Sequence, residues 1–298
     1  MKKRFITSIF IVLVTVAAVL SKLLPYNIGN YVFDIFIVAI TMVASIEMCN
    51  LLEHTNKKVN KVFATFYAVI YYAISLLLLG KVDNYSIMLI QFGVLLGYFV
   101  VVFITECVKA KDSAISTHVK TAYNTIFACV YPAFFFCMMI LINHMDLYAI
   151  KYFSIMFIVL ILAITWLTDT FAYIVGCSVR GPKLAPKISP NKTISGSIGG
   201  LLGGMGGAML VYAVMCNVQA LSAIVTLYNF QWWHFLLFGL FGSLLGQIGD
   251  LYESKLKRNA NIKDTGTIFP GHGGMLDRID AMIFVTIFMF IALSLILL

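Results

Sequence analysis

Stretches of about twenty apolar residues recur from one end of this chain to the other, joined by short polar connections. They fall near 5–24, 31–52, 62–80, 85–107, 121–143, 152–175, 197–216, 232–253 and 279–298. A hydrocarbon core about 30 Å thick is crossed by a helix of about twenty residues. Inside it, every backbone polar group must be satisfied within the segment or by a closed barrel. The lengths are those of helices, so the expectation is an all-α, polytopic integral membrane protein of about nine spans. Composition agrees: 61% of residues are hydrophobic and 11% charged, against roughly half and a quarter in soluble domains. Residues 1–150 read as N-terminal helices carrying about five spans. Residues 151–298 read as the functional region, with polar loops at 176–196 and 254–278.

The net charge of +8 would suggest a nucleic-acid partner in a soluble protein. Here it is explained by loop charge, and no nucleic-acid partner is expected. With the N-terminus inside, eighteen of the twenty-one lysines and arginines lie in cytoplasmic segments, and only Lys22, Lys81 and Lys151 lie outside. Basic residues in short loops hold those loops on the cytoplasmic side. The expected topology is therefore N-terminus in and C-terminus out. The chain reads as a multi-pass membrane protein; by size a bacterial inner (cytoplasmic) membrane is expected, with an organelle membrane as the alternative. The opening "MKKRFITSIFIVLVTVAAVL" has the start of a signal peptide but no small-x-small cleavage site, so an uncleaved first span is expected. Six scattered cysteines show no CxxC spacing, and no disulfides are expected.

The chemistry gathers in "KDTGTIFPGHGGMLDRID", 263–280, and in the turns before it. Asp250 and Ser254 are four apart and share a helix face, with Glu253 beside them. A carboxylate within a span faces a cavity or a partner, or else ends the helix in headgroup water. Asp277 and Asp280 open the last span, where capping accounts for one of them. Capping does not account for Lys263, Asp264, His272 and Arg278 in the same loop. Hard oxygen ligands beside clustered bases suit magnesium and phosphate. Gly271, Gly273 and Gly274 let backbone N–H groups approach an anion closely.

Upstream, Asp169 follows an apolar run, and Arg180, Lys183, Lys187 and Lys192 make a basic loop broken by Pro182, Pro186 and Pro190. Such a loop anchors to anionic lipid, or holds a lipid phosphate or a nucleotide triphosphate. Two interleaved rows follow, Gly196, Gly200, Gly204 and Gly199, Gly203, Gly207. Spacing by four bares one helix face per row for close packing in lipid. The rows suit an internal contact or a homodimer equally. No P-loop is present. Asp34 and Glu47 read as interfacial acids.

The run Ser254-x-Leu256-Lys257-Arg258, four residues, Lys263-Asp264-x-Gly266, two residues, Phe269-Pro270-x-His272-Gly273-Gly274-Met275-x-Asp277-Arg278-Ile279-Asp280 resembles the signature of the CDP-diacylglycerol synthases, the phosphatidate cytidylyltransferases. The segment 168–196 is similar to an upstream block of that family, Asp-x-x-Ala-Tyr followed by Ser-Pro-x-Lys-Thr. Thr168 stands where a polar amide is expected, and Ser195 where the family often has an acid.

The resemblance implies transfer of the CMP moiety of CTP to phosphatidate, giving CDP-diacylglycerol and pyrophosphate with Mg2+ as cofactor, a second cation being open. It implies that Asp250 and Asp277 hold the metal centre, with Asp280 and Ser254 as further ligands. Lys257, Arg258, Lys263 and Arg278 would bind phosphates, and Gly273 and Gly274 would line the substrate. The Lys187–Lys192 loop and Asp169 would complete the cavity, with His272 in a positioning role. CTP, phosphatidate and membrane lipids are the expected partners. The alternatives are a CTP-dependent polyprenol or phytol kinase, whose acceptor is a hydroxyl, and a cation transporter or channel.

Overall fold

In the computed structural model, residues 2–24, 28–110, 115–147, 150–271 and 273–297 are described, with side chains from residue 7 onward. The named secondary structure of the described residues is helical apart from one short hairpin. Eight helical segments are long and apolar enough to cross a membrane, and Thr7–Ser21 is a shorter apolar helix. The chain divides into two compact units: Met1–His144 with Leu256–Ile279, and Met145–Lys255 with Asp280–Leu298.

The first unit contains α1 (Lys2–Ser21), α2 (Ile28–His54), α3 (Lys61–Leu78), α4 (Asn84–Lys109), α5 (Ile115–Ala128) and α6 (Met138–Asn143). Side-chain caps set two helix starts. Asn60 accepts from Phe63 N ahead of α3, and Asp83 accepts from Ser86 N ahead of α4. The Ser86 hydroxyl and amide hold the Asp83 carboxyl below its ordinary range. The span expected at 121–143 is broken. Tyr131 has φ −117° and ψ 110°, followed by Pro132 inside the turn Cys129–Phe134. A proline lacks the N–H that a helix interior needs, and it disfavours helical backbone at the residue before it.

Polar side chains cross-link these apolar helices. Gln91 on α4 donates through Nε2 to Tyr71 O at 2.8 Å and Ser75 Oγ at 2.9 Å on α3. Asp34 is fully buried. It accepts from Asn143 Nδ2 at 2.8 Å and meets His144 Nε2 at 2.7 Å. Lys22 donates to Asn30 Oδ1 and Asn143 O, both at 3.0 Å, and to Asn143 Oδ1. Glu47, 4% exposed, is likewise held by specific partners. The interfacial reading of Asp34 and Glu47 is therefore corrected. Both acids are withdrawn from solvent and satisfied by donors far away in sequence, which a hydropathy window does not see.

The second unit is built on α7 (Phe153–Val179) and α8 (Ile194–Asn217), with α9 (Gln219–Leu227) and most of α10 (Trp232–Asn259) and α11 (Leu276–Ile296). Between α7 and α8, the proline-broken basic loop folds as an antiparallel hairpin, β1 (Lys183–Ala185) with β2 (Ser189–Thr193). Thr193 ends the hairpin and caps α8, accepting from Gly196 N at 3.1 Å.

Both glycine rows pack against helices of the same chain. A Cβ at Gly199 would lie 2.5 Å from Val175 Cβ. One at Gly203 would lie 2.6 Å from Leu167 O, and one at Gly207 2.9 Å from Ala163 O. The other row faces Ala172 and Thr168 on α7, then Gln247 and Ser243 on α10. Gly203→Ala is therefore expected to destabilise the detergent-solubilised protein by about 1–3 kcal/mol, because overpacking outweighs the roughly 1 kcal/mol gained in helix propensity. Gly206, whose Cβ would meet no atom within 4 Å, is the control: Gly206→Ala should be neutral or stabilising in the same thermal melts.

Candidate functional site

The signature segment begins on the last turn of α10 and runs into α11. Its loop is drawn tight by Phe269 and Gly273, which form an isolated antiparallel bridge, with Phe269 N donating to Gly273 O at 3.0 Å. Gly271 and Gly273 adopt φ +80° and +82°, which only glycine takes without strain. His272 lies between them, outside the described residues.

Two carboxylates organise this loop from within the first unit. Asp277, 9% exposed, accepts through Oδ1 from Lys257 Nζ at 2.6 Å. Its Oδ2 accepts from Thr265 N at 2.9 Å, Thr265 Oγ1 at 3.0 Å and Gly274 N at 2.7 Å. Lys257 is buried with it, so the pair sits in a low dielectric where charge-assisted hydrogen bonds are strong. Glu47 comes from α2. Its Oε1 accepts from Met275 N at 3.0 Å and its Oε2 from Leu276 N at 2.8 Å, and Oε2 also lies 3.2 Å from Thr265 Oγ1, whose single proton it shares with Asp277. A third tether is Thr7 on α1, whose hydroxyl donates to Pro270 O at 3.3 Å. With the backbone so held, Lys263, Asp264 and Arg278 stand exposed. Arg258 is exposed too, and donates through Nη1 to Ile262 O at 3.2 Å.

The second unit has its own polar centre. Asp169, Arg180, Lys183, Lys192, Gln247 and Asp250 are among the residues lining a cavity of about 890 Å³, a size ordinary for a ligand site. Lys192 on β2 forms an ion pair with Asp250 on α10. Ser254 donates to Asp250 Oδ1 at 3.4 Å, one turn along the same face. Asp280 lies within hydrogen-bonding reach of Glu253 and within the electrostatic influence of Asp250 and Asp169. Lys187 is exposed near the hairpin turn, apart from the residues lining the cavity. Ser195 donates to Arg180 O and stands 3.1 Å from Thr193 Oγ1, so it pins the hairpin to the end of α7.

Within the second unit, then, the cavity gathers Asp169, Lys192 and Asp250, with Ser254 bonded to Asp250 and Asp280 in its field. Within the first, the signature loop gathers Lys257, Gly273, Gly274 and Asp277. Sequence reasoning passed over Glu47 as a loop ligand, and Arg180 and Lys183 as cavity residues. The basic loop did signal the last two. For Glu47, the available signal was an acid in an apolar run, a residue type that usually has a specific partner.

Among the described residues, no three His, Cys, Asp or Glu side chains stand together as a ready metal-binding group. The donor chemistry nonetheless fits a hard divalent cation. Asp280 and Glu253 are two carboxylates within hydrogen-bonding reach, with Asp250 and Asp169 adding negative charge. Such a group calls for a counter-charge.

The chain matches the model of the cytidylyltransferase family over residues 2–296. It is similar to the phosphatidate cytidylyltransferase of Bacillus subtilis strain 168, 32% identical over 198 residues, 66% of each chain. It is 40% identical over 156 residues to the protein of that name from Staphylococcus saprophyticus, covering 50% of this chain and 55% of the relative. A Brucella abortus protein of the same name is 32% identical over 126 residues, 42% of each chain. The chain thus spans a little under two thirds of the Bacillus protein and about half of the staphylococcal one. Because the family model covers nearly its whole length and takes in both polar centres, this chain belongs to the cytidylyltransferase family.

Proposed function

We propose that this protein transfers the CMP moiety of CTP to phosphatidate, forming CDP-diacylglycerol and pyrophosphate. The observation that carries the reading is the cavity where Arg180, Lys183 and Lys192 face Asp169 and Asp250. A site for a nucleotide triphosphate and a phosphomonoester needs cations for phosphate and carboxylates for a metal, and this cavity has both. The relatives named phosphatidate cytidylyltransferase support the choice of acceptor, as does the length of the signature.

In the reaction, a phosphate oxygen of the lipid attacks the α-phosphorus of CTP. The bond from that phosphorus to the bridging oxygen of the β-phosphate breaks, and pyrophosphate leaves with the electron pair. The lipid phosphate is already largely ionised near neutral pH, so no general base is required. The protein's task is to align polyanions and offset their repulsion. Lys192, Arg180 and Lys183 bind phosphate in the cavity. Lys263, Arg258 and Arg278 offer exposed cations on the signature loop, Gly273 and Gly274 bring its backbone to the substrate, and His272 has a positioning role.

A magnesium ion would be held within the second unit by Asp250 and Asp280, with Ser254 and Glu253 beside them, whereas Asp277, engaged by Lys257, Thr265 and Gly274, orders the signature loop. When bound, such an ion would supply positive charge to offset that of the phosphates. The reaction belongs on the cytoplasmic face of a bacterial inner membrane, since CTP is a cytoplasmic nucleotide and the loop charge follows the positive-inside pattern.

The test is an assay of purified protein in mixed micelles. CTP labelled at the α-phosphate should pass its label to phosphatidate, and CTP labelled at the γ-phosphate should not. EDTA should abolish transfer, and excess magnesium should restore it. Movement of the γ-label to an added polyprenol would make the protein a lipid kinase instead. No turnover with either lipid, in protein shown to be folded, would overturn the enzyme reading.

A further inference from the structure

Glu47 lies on α2, more than two hundred residues before the signature loop, yet its carboxylate is one of the two around which that loop is folded. The first turn of a helix has N–H groups with no partner inside the helix. In α11 two of the N–H groups at this end, those of Met275 and Leu276, point at Glu47. The other acid at this end, Asp277, is engaged instead with Thr265, Gly274 and Lys257. The Thr265 hydroxyl is within reach of both acids, 3.0 Å from Asp277 and 3.2 Å from Glu47.

The two signature glycines without positive φ have their explanation here. A Cβ at Gly266 would lie 2.8 Å from Glu47 Cδ, and one at Gly274 would lie 2.6 Å from the same atom. Both positions are bare because the Glu47 carboxylate lies against them.

We propose that Glu47 is a positioning residue for CMP transfer: it holds the loop 263–276 in the geometry from which Lys263 and Arg278 reach the phosphates. The inference rests on the cytidylyltransferase reading. Removing Glu47 leaves the loop's cations in place but loosens where they stand. Coulomb attraction falls only as the inverse of distance, so binding of CTP persists. Alignment for in-line attack is far steeper, and a misplacement of 1 Å from remote loosening can cost about a hundredfold in rate.

Glu47→Ala should therefore lower kcat by about 10- to 100-fold with KM for CTP changed by less than about threefold. Glu47→Gln keeps one acceptor oxygen and should fall between it and the native enzyme. Gly274→Ala, which drives a methyl group into the Glu47 carboxylate, should be impaired alone. Its added effect in the Glu47→Ala background should be much smaller, because the obstructing group is gone. Hydrogen exchange gives a readout independent of turnover: amides of 265–276 should exchange faster in both Glu47 variants, with the rest of α2 unchanged.

Native-like kcat in folded Glu47→Ala or Glu47→Gln would overturn the proposal. So would a loss of activity that only tracks the folded fraction, or unchanged exchange in the loop. Absence of CMP transfer by the native protein is a different failure. It would remove the reaction, while the exchange data would still decide whether Glu47 orders the loop.

Discussion

Asp250→Asn should cut CMP transfer by about two to three orders of magnitude, the range found when one preorganised electrostatic group is taken from an active site. The folded state should hardly register the change. Lys192 and Asp250 keep 29% and 30% of their side-chain surface exposed, and an ion pair so open to solvent contributes about 0–1 kcal/mol. A group that matters little to stability yet carries negative charge into a cavity lined by Arg180, Lys183 and Lys192 is best explained by what it does to a ligand. Asparagine has nearly the same shape and can still accept from Ser254, so what is lost is the charge that Lys192 and a magnesium ion would share. Lys192→Ala should also be severely impaired, and the double variant should be far less than additive because the pair acts as one unit. The measurement is kcat and KM for CTP in mixed micelles beside thermal melts. Retention of more than about a tenth of native activity by folded Asp250→Asn would remove this residue from the proposed machinery.

How far the chain could be read without its structure depended on how local each signal was. The all-α membrane architecture was legible because twenty apolar residues are a local pattern; of the nine spans expected, eight are long and apolar enough among the described residues, and the first is the shorter helix Thr7–Ser21. The glycine rows were legible because spacing by four puts Gly199, Gly203 and Gly207 on one face whatever the partner, here Val175, Leu167 and Ala163. The signature residues stood out because charge is rare in so apolar a chain, at 11% of residues, and gathers there. Three features were not legible. The break at Tyr131 and Pro132 lies within a hydrophobic run whose average hydropathy conceals it. The hairpin at 183–193 has prolines at 182, 186 and 190 that read as loop, and its strands are only three and five residues long. Glu47 and Asp34 each appear as one acid in an apolar helix, while the groups that make burial tolerable arrive from 265–276 and from Asn143 and His144. A buried charge needs partners, but sequence does not say which residues supply them.

Asp34 is where that missing information has the largest consequence for stability. Its carboxylate is fully buried between Asn143 and His144, and Asn143 also holds Lys22. Four polar side chains therefore join the end of α1, the start of α2 and the end of α6. Asp34→Ala would leave His144 and the Asn143 amide without their acceptor, and breaking one partner of a buried charged network costs about 3–5 kcal/mol. Asp34→Asn should cost less, because one amide oxygen can still accept from Asn143 or His144. His144→Leu alone should also be costly, since it leaves Asp34 less satisfied. Replacing both by leucine should recover much of the loss, as apolar exchange of a whole buried pair is often close to neutral. Asp34 lies thirteen residues before Glu47 on α2, roughly 20 Å along the helix axis, so the effect should be on folding and not on the loop. Melts in detergent and turnover per folded molecule separate the two: the midpoint should fall sharply in Asp34→Ala while specific activity of the folded fraction stays within about twofold. A double-leucine variant no more stable than Asp34→Ala would mean that the network is held by more than this pair, with Lys22 the next residue to vary.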